Sequence, residues 1–85
     1  MVFKYDGGLK MNKITLEQVK ELKKKDRIAV SYLNHDGNIV TKNTRFYGTE
    51  YNQYRKKNII LVYVPRKQKA VWEIEEGTEC EIKPL

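Results

Sequence analysis

The sequence predicts a mainly β domain with one N-terminal helix, an α+β chain whose strands form a small five-stranded antiparallel barrel or roll. Three observations carry this prediction. Short apolar segments alternate with tight-turn dipeptides, one capped amphipathic segment precedes the first strand, and one run is apolar on both faces.

Residues 1–10, MVFKYDGGLK, end on the turn signal Asp6-Gly7-Gly8, and Met11 opens a stretch that itself reads like a chain start. Residues 1–10 are therefore an extension or a short extra strand, and residues 11–85 a single domain. Thr15 is followed three residues later by Gln18, a capping box, with Ile14 and Val19 placed as the hydrophobic staple. Leu16, Val19 and Leu22 recur at three-residue spacing. Lys23, Lys24 and Lys25 follow, where cations favour the negative end of a helix dipole. The pattern predicts a helix over about residues 15–25, too short to persist alone and so obliged to dock on an apolar surface.

The docking surface is a set of strands. RIAVSYL, residues 27–33, sets Ile28, Val30 and Tyr32 against Ala29, Ser31 and Leu33. Asp36-Gly37 is a strong hairpin signal because both residues tolerate positive φ. The returning strand starts near Asn38, carries Ile39, Val40, Thr41 and Thr44, and reaches about Tyr47; Gly48 marks a bulge or its end. NIILVYV, residues 58–64, is apolar on both faces and predicts the central, most buried strand, stopped by Pro65. RKQK then reads as a basic turn and AVWEI as a strand with Ala70, Trp72 and Ile74 inward. After the turn EEGT, ECEIK alternates Cys80 and Ile82 inward with Glu79, Glu81 and Lys83 outward.

In element order this chain is similar to SH3-like and Sm-like barrels, the latter having an N-terminal helix before five strands. The likeness is architectural. An Sm-like protein would be expected to have a glycine within its bent second strand, where this chain has Lys42, Asn43 and Thr44. Function drawn from such a likeness alone is analogy.

Composition narrows the function classes. With 85 residues the core must be small. Cys80 is the only cysteine, which points to a reducing compartment such as a cytoplasm. No run of about 18 apolar residues exists to span a membrane, and the first ten residues lack the apolar region of a secretory signal. Richness in Lys, Asn, Ile and Tyr fits AT-rich coding, as in many small bacterial or phage proteins. The net charge is +6, unevenly spread: residues 1–69 hold 16 Lys/Arg against 6 Asp/Glu, whereas residues 70–85 hold Lys83 against five glutamates. A basic surface attracts polyanions, and it is also an ordinary solubilising surface.

The chemistry available is that of binding. His35 is the only histidine and sits in a predicted turn, away from an inward-facing Cys80. There is no metal-ligand spacing and no glycine-rich phosphate loop, so the chain reads as non-enzymatic, without metal or cofactor. FYGTEYNQYRKK, residues 46–57, mixes rings and cations, as single-stranded nucleic acid binding requires. The candidate contacts are Lys42, Arg45, Tyr47, Tyr51, Tyr54, Arg55, Lys56 and Lys57, with a second basic cluster at Arg66, Lys67 and Lys69. A helical turn over residues 50–56 would put Tyr47, Tyr51 and Tyr54 on one side, and a barrel could present both clusters from one end. Three other readings stand beside RNA or single-stranded DNA. Phe46 and one or two of the tyrosines are core residues, the tyrosine hydroxyls left wet; or the surface is a protein-interaction module of a small regulator or inhibitor; or it captures a small phosphorylated ligand.

Overall fold

The computed structural model describes residues 11–85, apart from the side chain of Gln68. The short strand considered for residues 1–10 lies outside the described residues. Five antiparallel strands follow one another: β1 (Arg27–Leu33), β2 (Ile39–Asn52), β3 (Lys57–Val64), β4 (Lys67–Glu75) and β5 (Cys80–Pro84). They form one sheet in the order β4-β3-β2-β1-β5, so three hairpins run in sequence and β5 returns to pair with β1. β4 and β5 remain the two edges, and the expected barrel is not closed. The doubly apolar run is β3 as expected, with Ile59, Ile60, Leu61 and Val62 all buried, but β2 holds the middle of the sheet.

The predicted helix over residues 15–25 is not formed; only Leu16–Val19 coil, as one 3₁₀ turn. The spacing of Leu16, Val19 and Leu22 explains this. Three residues is the period of a 3₁₀ helix, whereas in an α-helix the same spacing drifts by about 60° at each step. Tertiary bonds also hold the segment at both ends. Ile14 N–H donates to the Thr78 carbonyl at 2.9 Å and Gly77 N–H to the Ile14 carbonyl at 2.8 Å, while Lys25 N–H reaches the Phe46 carbonyl at 2.7 Å. Thr15 still has the extended backbone of an N-cap, and Gln18 Oε1 accepts from its N–H at 3.4 Å. The Glu76 carboxylate caps the turn from outside the segment, accepting from Leu16 N–H at 2.8 Å and from Asn58 Nδ2 at 3.0 Å.

The core lies on the inner face of the sheet. Ile28 and Val30 of β1, Phe46 of β2, Ile60 and Val62 of β3, Ile74 of β4, and Cys80 and Ile82 of β5 meet Ile14 and Val19 there. Leu22 and Trp72, expected as core residues, are half-buried against it, and Trp72 meets Tyr32 edge-on at 5.2 Å. Burial among apolar neighbours pushes the Cys80 thiol up to about 11, with the Glu81 charge adding to the shift. That thiol is a core residue without thiolate reactivity.

β2 is the exceptional strand. It pairs with β1 through residues 39–45 and with β3 from Phe46 to Asn52, so it changes partner at Phe46. A bulge at that point leaves Tyr47 unpaired between Phe46↔Val62 and Gly48↔Leu61. Gly48 thus marks a bulge inside the strand, which continues past the expected end at Tyr47. The basic run after Pro65 differs as well. Only Pro65 and Arg66 form the turn, and β4 begins at Lys67.

Truncating Ile60, fully buried, to Ala is expected to destabilise the fold by about 2–5 kcal/mol, against less than about 0.5 kcal/mol for Ile39→Ala, which is 47% exposed. Urea midpoints of the two variants check this. Hydrogen bonds from Asn58 and the Leu16 backbone hold the Glu76 carboxyl below its ordinary value of 4.5. Its stabilisation is therefore complete above that ordinary value and lost as pH falls through the lowered one. Glu76→Gln should flatten the acid side of the stability–pH curve; an unchanged acid limb would show that Glu76 contributes nothing there.

Candidate functional site

Where β2 leaves β1 for β3, the two halves of the sheet part and a groove opens between them, about 700 Å³ in volume. Asn43, Thr44 and Arg45 of β2 form one wall. Tyr63 and Val64 of β3, Arg66 of the turn, and Lys67 and Lys69 of β4 form the other, with Lys25 and Arg27 beside β2. A second irregularity faces the first. The β3–β4 register jumps from Tyr63↔Val71 to Val64↔Lys67, leaving residues 68–70 without partners on β3, and this excursion brings Lys69 into the groove. One bond crosses the fork: the Thr44 hydroxyl donates to the Tyr63 carbonyl, which has no ladder partner on that side.

Six cations line this groove, and no carboxylate side chain does. Among the described residues, none of Lys25, Arg27, Arg45, Arg66, Lys67 and Lys69 takes part in an ion pair. Arg27 and Arg45 are direct cross-strand partners, and like charges placed so repel each other. Arg45 is held in position by donating from Nη1 to the Lys25 carbonyl at 2.9 Å, which leaves its other N–H donors free. Lys25 and Arg66 carry positive φ, 76° and 67°, where glycine is the least strained residue. In the turn between Val64 and Lys67, Pro65 followed by a positive φ has the sign pattern of type II, whose second position usually takes glycine. Two cations thus occupy strained backbone positions on the rim of one groove.

Nine of the eleven candidate residues separate into two groups. Arg45, Arg66, Lys67 and Lys69 meet in the groove, whereas Tyr51, Tyr54, Arg55, Lys56 and Lys57 lie around the β2–β3 turn, at the other end of β3. Eight residues of strand put the two ends roughly 25 Å apart, so the clusters are not presented together. Nor do residues 50–56 coil: 50–52 finish β2 and 53–56 are turn. The three tyrosines therefore share no helical side. Tyr47 packs edge-on against Tyr63 at 5.4 Å, with Lys24 Nζ 4.6 Å from its ring centre. Tyr51 is 57% and Tyr54 99% exposed. Phe46 is the aromatic of this stretch that enters the core.

At the distal end two of the three cations are already engaged. Arg55 Nη1 lies 3.1 Å from Glu75 and 3.7 Å from Glu73, and Lys57 Nζ lies 3.5 Å from Glu75. These glutamates sit beside Ile59 and Leu61 in the register, so the ion pairs run over the outer apolar face of β3. Lys42 is exposed on β2 opposite Val30 and lies outside the groove. Lys25, Arg27 and Tyr63 are not singled out by sequence reasoning. Lys25 looks like a helix-end cation and Tyr63 like a buried strand residue, and no sequence signal joins positions 25, 45, 63 and 66.

Compared with models of protein families, with curated proteins and with solved structures, the chain matches none. Among the described residues no group of three or more His, Cys, Asp or Glu is placed to hold a metal ion, and no helix is long and apolar enough to cross a membrane.

Arg66→Gly should relieve the positive φ at that position and be neutral to about 1 kcal/mol stabilising, the relief being partly offset by the entropy of the unfolded glycine. Thermal unfolding measures it. A clear loss of stability would mean that the Arg66 side chain serves the fold rather than the groove.

Proposed function

We propose that this chain is a non-enzymatic binding module that holds nucleic acid through the groove between the two halves of its sheet. The observation that carries the reading is the convergence of six cations from three parts of the chain on one concave surface without a carboxylate side chain. Such a surface attracts a polyanion and releases its counterions on binding. Lys25, Arg27, Arg45, Arg66, Lys67 and Lys69 would contact phosphates, and a reducing compartment such as a cytoplasm fits a chain with one cysteine. In architecture we read the chain as an SH3-like or Sm-like roll left open between β4 and β5, a likeness that carries no function by itself.

The distal turn favours a second role of a different class. Tyr54 is almost wholly exposed and Tyr51 more than half, beside cations neutralised within the chain. Exposed rings with little net charge suit a protein partner better than a polyanion. We assign Tyr51 and Tyr54 to that alternative, in which the chain acts as a regulator or inhibitor of a larger assembly.

Titration of labelled oligonucleotides at several salt concentrations tests the main reading. Arg45→Gln with Arg66→Gln should weaken binding to every sequence about equally and lower the log–log salt slope by about 0.7–0.9 for each phosphate no longer neutralised. Lys56→Gln, at the distal turn, should leave affinity and slope near those of the parent chain. Equal weakening in the two variants would mean diffuse charge attraction with no groove-specific site.

A further inference from the structure

Resting on that nucleic-acid reading, we infer that the groove takes a single strand rather than a duplex, with an unpaired base entering the fork between β2 and β3 against Tyr63. Three features of the groove go beyond charge. The first is that Tyr63 and the apolar Val64 line the groove among its cations. A duplex keeps the faces of its bases stacked inside and would present only backbone and groove edges, whereas an unpaired base offers a π-face to the ring. The second is that the ring of Tyr63 is braced in advance. Its edge-on contact with Tyr47, at 5.4 Å and 69°, holds it, and the Lys24 ammonium lies over the far partner of that pair. A ring already ordered loses little freedom when a base stacks on it.

The third feature is hydrogen-bonding capacity inside the fork. Through residues 39–45 β2 pairs only with β1, so its edge toward the groove has no strand partner. The Asn43 amide lines the same wall and offers both donors and an acceptor. The Watson–Crick edge of a base can use such groups only when the base is unpaired. The phosphates on either side of that base would lie along Arg45 and Arg66, one on each wall. Tyr63 is thus a binding residue, and Tyr47 a residue that positions it.

Fluorescence anisotropy on the full chain tests this, with labelled oligothymidylate and oligouridylate of about 10 nucleotides and a DNA duplex of the same length as probes. Both single strands should bind at least tenfold more tightly than the duplex. Tyr63→Leu should weaken the single strands by roughly 5- to 150-fold, the loss of one stacked base, without changing the salt slope, while Tyr63→Phe should bind like the parent chain. A duplex bound as tightly as the single strands overturns the inference, as does a folded Tyr63→Leu with unchanged affinity. If Arg45→Gln still weakens all three probes in that case, the nucleic-acid reading survives and single-strand selection alone falls. Should Tyr63→Leu fail to fold, the comparison of probes on the parent chain decides. A polyglutamate peptide that displaces oligothymidylate as well as an unlabelled strand of equal charge also overturns it, and points to an acidic protein partner. Absence of binding by every probe at low salt ends both proposals.

Discussion

The change of partner at Phe46 is the constraint on which the rest of the structure depends. Its side chain enters the core, its N–H donates to the Asp26 carbonyl at 2.9 Å, and its carbonyl accepts from Lys25 N–H at 2.7 Å. Immediately beyond it β2 belongs to β3, with one extra residue taken up at Tyr47. A sheet of this length cannot wrap a small core while every ladder stays continuous, because a closely curved strand needs a bulge or a break. Here the break lies in the middle strand. It folds β1 and β5 over one side of the core and β3 and β4 over the other, and the gap left outside is the groove.

Basic residues of the same type meet different fates along this chain. Arg55 and Lys57 are drawn across the outer face of β3 to Glu73 and Glu75, where they neutralise two carboxylates and screen Ile59 and Leu61. Exposed pairs of this kind stabilise little individually, and their consequence is mainly that the distal end carries little free positive charge. Arg27, Arg45 and Arg66 stand among further cations in a groove that no carboxylate side chain lines, and none of the three forms an ion pair among the described residues. Six cations thus gather at one end of β3, although the sequence distributes lysine and arginine along most of its length. Backbone strain gathers on the same residue types: Lys25, Lys56 and Arg66 are the non-glycine residues at positive φ among those described. Glycine would relieve the strain at each of these positions, at an entropic cost in the unfolded chain.

The sheet itself is largely legible in the sequence. Alternation marks β1 at its observed bounds, Asp36-Gly37 marks the first hairpin, and the continuous apolar run marks β3. These signals are local, since strand period and turn chemistry are properties of neighbouring residues. The helix is misread for an equally local reason. A three-residue apolar spacing fits both α and 3₁₀ coiling, and the hydrogen bonds that decide between them, from Lys25 to Phe46 and from Leu16 to Glu76, reach far along the chain. The extension of β2 to Asn52 and the absence of a closing β4–β5 ladder are likewise beyond local signals.

For the candidate site the division is sharper. Sequence by itself determined the ingredients: a basic chain, four groove cations recognised by their clustering, and a strand order free of metal or nucleophile motifs. The tertiary structure decided their arrangement. It separated Tyr51, Tyr54 and residues 55–57 from Arg45 and Arg66, although the former are closer to Arg45 in sequence, and it recruited Lys25, Arg27 and Tyr63. The physical reason is that an antiparallel hairpin carries neighbouring residues away to its far end, while ladder pairing brings distant ones together. Arg27 meets Arg45 only through the β1–β2 register, and Arg45 meets Tyr63 and Arg66 only because β2 turns aside at Phe46.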